Sequence, residues 1–331
     1  MKRPALGLLL LALSGCAAGN PASAITAVPT TPPAKMRVAW VSRAPIYTTT
    51  LIANEVYYKE EGLDVDLQYV EGSGRVAAAM VGGDVDAALM SGEAAITADV
   101  QGGADLVMVG GTGDHTAEEL VGLPDVKTPA DLKGKIIGLT QGGISAQLHL
   151  QEALKPYGMT LNDVTITFLG GAPAIIAALQ SKQIDAGVMT TDNAGQAVKQ
   201  GQHIVIDIEA MHLPSANSPL IVRKTYLNSH RDELTRFLKA QAQGIKRLKT
   251  DKAFAIEVIK KYFRLEDPTD IENSYTYATK LVRDDLLLTP DTVQAILDSN
   301  QITGHKPDEF MDMSLVQTLN DSGFISQLWK S

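Results

Sequence analysis

The sequence predicts an α/β protein of two similar lobes, each built on a mainly parallel sheet, with extra helices at the C-terminal end. Three observations lead there. Asp84-Val-Asp-Ala-Ala-Leu-Met-Ser-Gly-Glu-Ala-Ala95 returns, altered, as Gln183-Ile-Asp-Ala-Gly-Val-Met-Thr-Thr-Asp-Asn-Ala194, 99 positions later. Around both copies, strand-like and helix-like segments alternate in the same order, the pattern of parallel sheets joined by right-handed crossovers. Beyond the second copy only helical stripes remain.

The first element is a targeting segment rather than part of the fold. Lys2 and Arg3 precede an apolar run, Ala5 to Leu13, too short to span a bilayer, which needs about 20 apolar residues. The run ends in Leu13-Ser14-Gly15-Cys16, which resembles the bacterial lipoprotein signal. That resemblance implies a signal peptide over 1–15, cleavage before Cys16 and lipid attachment to its thiol. Residues 16–35 then form a lipid anchor and flexible tether, since Ala, Pro, Ser, Thr and Gly offer almost nothing to bury.

Each copy opens on an apolar strand, Arg37–Val41 and Lys135–Leu139. A helix follows, Thr48 to Glu60 stopped by Gly62, and Ser145 to Lys155 stopped before Gly158. A second strand alternates Leu63, Val65, Leu67 and Tyr69 with polar residues; its counterpart is Val164–Phe168. Glycine-containing turns, Glu71–Gly74 and Gly170–Pro173, lead into alanine-rich helices. The repeated motif supplies a short buried strand, Val85–Leu89 or Ile184–Met189, running into another helix. Leu106–Val109 and Ile204–Asp207 close the copies. From Ala78 to Gly102 the two share nine identities in 25 positions, Asp86/Asp185 and Met90/Met189 among them. In the tail, Leu234, Phe237, Leu238, Ala242, Ile245 and Leu248 keep a helical stripe with Asn228 or Ser229 as cap, and Thr289-Pro290 starts another helix.

Composition narrows the function. The 331 residues, 45% hydrophobic and 20% charged, suit two medium domains or one large one, with sizeable cores. A net charge of −9 without a basic run argues against nucleic acid as partner. With Cys16 the only cysteine, there is no disulfide framework or thiolate metal site. Walker, His-Glu-x-x-His and Gly-x-Ser-x-Gly motifs are absent, and Gly110-Gly-Thr-Gly-Asp114 lacks both the GxGxxG spacing and the Walker lysine. The six histidines show no ligand spacing. No catalytic residue, metal or cofactor is predicted.

Several segments together resemble the solute-binding lipoproteins of bacterial ABC importers, the type II periplasmic binding proteins, in the group that takes nitrate, sulfonates, taurine and thiamine precursors. They are Lys59-Glu-Glu-Gly-Leu-Asp-Val65, Val81-Gly-Gly-Asp-Val-Asp86 and Thr128-Pro-Ala-Asp-Leu-Lys-Gly-Lys-Ile-Ile-Gly138, within a resemblance running from Met36 to Phe263. The resemblance implies lobe 1 over 36–117 plus 223–331, lobe 2 over 118–222, and two hinge crossings near 118–122 and 218–222. It implies capture of a small polar organic ligand, sulfonate-, taurine- or thiamine-precursor-like, by lobe closure and delivery to an ABC permease in the membrane. The protein is then exported, held by its lipid anchor on the periplasmic or cell-surface side, and monomeric. A biosynthetic enzyme of the same fold and a ligand-sensing lobe of a signalling system are the alternatives.

Ligands of such sheets sit where strands end and helices begin. The candidate ligand-binding residues are accordingly Arg43, Tyr47, Thr48, Ser73, Ser91, Gly92, Glu93 and Thr112 on one rim. On the other they are Gly142, Gly143, Ser145, Gly171, Thr190, Thr191, Asp192 and Asn193. Exposed N–H groups at helix starts favour an anionic or acceptor-rich ligand. Arg43 or Arg75 would suit a sulfonate, carboxylate or phosphate; Glu93, Asp192 and Asp114 would suit an amine or a heterocyclic N–H. Both signs are present, so the residues leave the ligand's charge open.

Overall fold

The structure, a computed structural model, describes residues 32–140 and 144–330. The signal segment, Cys16, most of the expected tether, Gly142 and Gly143 lie outside the described residues. The strands are β1 (Ala34–Trp40), β2 (Leu63–Tyr69), β3 (Ala87–Leu89), β4 (Leu106–Gly110), β5 (Gly113–His115) and β6 (Glu118–Gly122). They continue with β7 (Ile136–Thr140), β8 (Thr165–Leu169), β9 (Ala186–Thr190), β10 (His203–Asp207), β11 (Pro214–Asn217) and β12 (Leu220–Arg223).

Ten of these strands form two five-stranded sheets, ordered β2-β1-β3-β12-β4 and β8-β7-β9-β6-β10. In the first, β1 runs parallel to β2 and β3, while β12 is antiparallel to β3 and β4. In the second, β7 runs parallel to β8 and β9, while β6 is antiparallel to β9 and β10. The two sheets are thus one arrangement built twice. The motif copies fall at β3 and β9, in separate sheets. Each reversed strand, β12 or β6, is laid down where the chain arrives from the other half.

The repeated aspartate has a local reason. The Asp86 carboxylate accepts from the Arg37 backbone N–H at 2.9 Å and from its guanidinium at 2.7 Å. Ninety-nine positions on, Asp185 accepts from the Ile136 backbone N–H at 2.8 Å and from Lys135 Nζ at 3.2 Å. Each carboxylate stands just before β3 or β9 and ties that strand's start to its neighbour, at Arg37 within β1 and at Ile136, the first residue of β7, where it takes up a backbone N–H.

Two apolar clusters follow the two sheets. One gathers Val38, Leu51, Leu89, Met108, Leu220, Phe237, Ile259 and Val316. The other gathers Leu120, Ile137, Leu150, Ile175, Val188 and Ile206. The C-terminal helices therefore cover the first sheet. The Arg231–Thr250 helix lies so close to Thr48–Ile52 that a Cβ on Gly244 would come within 2.5 Å of the Thr49 carbonyl.

Local differences from the sequence reading have local causes. The Thr48–Glu60 helix contains a π-helical stretch, Ala53–Tyr57. The long helix starts at Arg231 because Ser229 closes a separate helix, Lys224–Ser229, by donating its hydroxyl back to the Thr225 carbonyl. Leu63, Val65, Leu67 and Tyr69 fall from buried to exposed along β2, an edge strand that only its first residues push into the core. The connections between sheets run through β5 and β11, which pair antiparallel, Pro214 opposite His115 and Asn217 opposite Gly113. Glu118–Gly122, expected near a crossing, is itself a strand of the second sheet, and Leu220–Val222 lies in the first.

Candidate functional site

A cavity of about 120 Å³ lies between the two sheets. Ser42, Ala44, Ile46, Tyr47, Ser91 and Glu93 line it from beyond the carboxyl ends of β1 and β3. Glu118, Ser145, His149 and Thr190 line it from the second half, and Thr116, Ser215, Ala216, Asn217 and Ser218 from the crossings at β5 and β11. Tyr277, on the Pro268–Leu281 helix, completes the lining. This is the place where such sheets hold ligands, outside the strand ends at which helices begin.

Glu93 is the organising group on the first rim. It sits in the first turn of the Gly92–Gly102 helix and is 2% exposed. Ser91 Oγ donates to one carboxylate oxygen at 2.7 Å and Ser215 Oγ to the other at 2.9 Å. Ser91 also caps the helix, accepting from the Ala94 N–H at 3.2 Å. Its hydroxyl reaches across to Ser145 of the second rim, oxygen to oxygen 3.4 Å. Gly92 is forced by close packing, since a Cβ there would lie 2.4 Å from the Ala216 Cβ.

Opposite stands a second charged unit, His149 with its Nδ1 2.6 Å from Glu118 Oε2. Burial alone would lower the His149 pKa, but the Glu118 carboxylate, helped by Glu93 and Glu152, outweighs it and holds the ring above its ordinary value. Tyr47 is buried at the wall; burial pushes its hydroxyl up to about 12, against hydrogen bonds with Ser218 and Ser42. Tyr277 reaches over from the C-terminal helices, its hydroxyl 3.5 Å from the Ala117 carbonyl. The same helix is pinned to the second half by Lys199–Asp270 at 2.6 Å and by Lys280–Glu209.

The structure brings five of the sequence-derived candidates together: Tyr47, Ser91, Glu93, Ser145 and Thr190. The other described candidates lie outside the lining. Arg43 stacks its guanidinium on the Tyr69 ring, 4.6 Å from the centroid. Thr48 is buried and donates to the Pro45 carbonyl at 2.6 Å. Ser73 Oγ accepts from the Ser91 N–H at 3.3 Å, and Thr112 donates to the carbonyls of Asn217 and Ser218, both at 3.2 Å. A Cβ on Gly171 would lie 3.8 Å from Glu71 Oε1, at a meeting of the two rims. Thr191 donates to Glu209, and Asn193 Nδ2 donates to Thr190 Oγ1 at 2.7 Å. Asp192 is half-buried at the rim, and desolvation pushes its carboxyl up, with Asp270 adding to it against hydrogen bonds around Thr190 and Asn193. Asp114 is taken by Arg283 and His115. Glu118, His149, Thr116, Ser215 and Tyr277 were not among the candidates, because nothing in their local sequence marks them.

Residues 44–252 match the family described as NMT1/THI5 like. The chain belongs to the NMT1/THI5-like family. No curated protein matches the sequence. Among solved structures, a protein of Bordetella bronchiseptica RB50 superposes with a TM-score of 0.73 at 21% identity, over 87% of this chain and 98% of that one. The alkanesulfonate-binding protein of Xanthomonas axonopodis pv. citri, bound to MOPS, gives 0.68 at 18%, over 82% and 93%. The periplasmic nitrate-binding protein of Synechocystis PCC 6803 gives 0.72 at 11%, over 88% and 89%. The fold of this NMT1/THI5-like chain is therefore that of the type II periplasmic binding proteins.

Proposed function

We propose that the protein is the extracytoplasmic solute-binding component of an ABC importer and not an enzyme. It holds a small polar organic solute between its two halves and delivers it to a membrane permease. The observation that carries this reading is the cavity at the strand ends of two equivalent sheets, lined from both. In this account the halves are lobes, 36–117 with 223–331 and 118–222, and they turn about the paired crossings β5 and β11. Tyr47, Ser91, Glu93, Ser145, Thr190, His149 and Tyr277 contact the solute. The arrangement described above is the closed form, with Ser91 and Ser145 meeting over the cavity. A solute bridging both rims favours closure by its preference for that state.

Family membership and the folds of the sulfonate- and nitrate-binding neighbours support the role. The positive flank, apolar run and Leu-Ser-Gly-Cys16 sequence support export and a lipid anchor, which would keep the receptor at high effective concentration beside its permease. Small-angle scattering tests the reading: a bound solute should contract the particle. Ser91→Trp, which fills the cavity, should abolish both binding and contraction while circular dichroism stays native. Binding that survives Ser91→Trp unchanged would place the site elsewhere.

A further inference from the structure

The solute-binding reading leaves the solute's charge open, and the cavity lining decides it. Among the described residues, no Lys or Arg lines the cavity. Arg43, between the lining residues Ser42 and Ala44, is exposed with its guanidinium over the Tyr69 ring, and Arg75 is exposed away from the lining. An anion could still bind at a helix start. On the first rim, however, that place is already filled by the chain's own Glu93, and the Ala94 N–H is taken by Ser91. On the second rim the Thr191–Lys199 helix likewise carries Asp192 in its first turn, whereas the Ile144–Leu154 helix, which brings Ser145 and His149 to the cavity, has no acid in its first turn, so there the hydroxyl and the His149–Glu118 pair set the polarity.

Against this, Glu93 has two serine hydroxyls but, among the described residues, no Lys or Arg within ion-pair distance. The one basic group in the lining, His149, is matched by its own partner, Glu118. His149 thus faces two acids of the lining, Glu118 in contact and Glu93 at longer range, so acid outnumbers base there and the buried Glu93 carboxylate has no counter-ion in contact. Such a charge is costly unless something of opposite sign meets it. The serine and threonine hydroxyls can donate or accept, so they do not select charge. Tyr47 and Tyr277 also line the cavity, and aromatic rings favour cations over anions at their faces.

We infer that the cleft takes a small organic cation, an ammonium or amidinium-type group, with Glu93 as its counter-ion. This rests on the solute-binding reading above and narrows it. Sulfonate and nitrate, named for structural neighbours, are then not solutes of this chain.

The test uses the full-length chain with two probe sets, ethanolamine, choline and methylguanidine against nitrate, ethanesulfonate and acetate. Thermal shift and calorimetry read affinity, and small-angle scattering reads closure. At least one cation should stabilise and contract the protein, no anion should, and Glu93→Gln should weaken the cation by more than about tenfold. Should Glu93→Gln fail to fold, Glu93→Asp keeps the charge at shorter reach and should weaken the cation in a natively folded protein. An anion that binds and contracts the particle while the cations do not overturns this inference and leaves the receptor reading standing. Cation binding indifferent to both Glu93 variants also overturns it. If neither set binds or contracts the particle, the receptor reading falls and this inference with it.

Discussion

Replacing Glu119 by glutamine should make the protein more stable above neutral pH and change little in acid. Glu119 sits on β6 directly opposite Asp207 on β10, is 6% exposed, and its Oε2 has no hydrogen-bond partner among the described residues. Burial first, then the charges of Asp207 and Glu209, push its carboxyl up to about 7 from 4.5, against a lowering by Lys280. The folded pKa is raised, so between pH 4.5 and 7 the folded chain holds a proton that the unfolded chain has released. Wild-type stability from this group is therefore complete below pH 4.5 and declines as pH rises to 7. A gap of about 2.5 units at 1.36 kcal/mol each is about 3 kcal/mol, and partial solvation leaves about 2 to 3. The glutamine variant has no such proton. Urea unfolding at pH 4.5, 5.5, 6.5 and 8 should show its advantage over wild type growing by that amount and then levelling. A difference constant across pH would refute the burial and charge argument.

Three further outcomes follow from the frame. Gly187→Ala places a Cβ 2.3 Å from Ile175 Cγ2, so overpacking should cost about 1 to 3 kcal/mol in urea unfolding; an unchanged midpoint would mean the second core yields freely. Asp86→Asn and Asp185→Asn each remove one charged acceptor at a strand start and should each cost about 1 to 2 kcal/mol. A large effect at one and none at the other would contradict their equivalence. Cys16→Ala should move the protein from the membrane to the soluble fraction of cells; unchanged fractionation would refute the lipid anchor.

The doubled architecture was legible because each copy writes its own strands, turns and helices, and because Asp86 and Asp185 do the same job. The crossing strands were not. Gly113–His115 and Pro214–Asn217 are short and carry glycine, histidine and proline, so they read as loops, and only their pairing makes them strands. The rim was half legible. Ser91, Glu93 and Thr190 stand where a strand gives way to a helix, a position that sequence marks. His149 lies a turn inside its helix, and Tyr277, 70 residues beyond Asp207, enters from a C-terminal helix. Their approach to the cavity is set by packing between distant segments. Arg43 shows the converse, a charged residue in the expected loop whose guanidinium lies over the Tyr69 ring and outside the lining.

The most direct test of solute capture by closure is energy transfer between dyes on exposed sites of the two halves, Gln101→Cys and Lys182→Cys in a Cys16→Ala background. Titration with the cation and anion sets should raise the transfer efficiency for at least one solute, in step with its calorimetric binding curve, and Ser91→Trp should remove the change. Saturable binding with unchanged transfer efficiency would contradict the account.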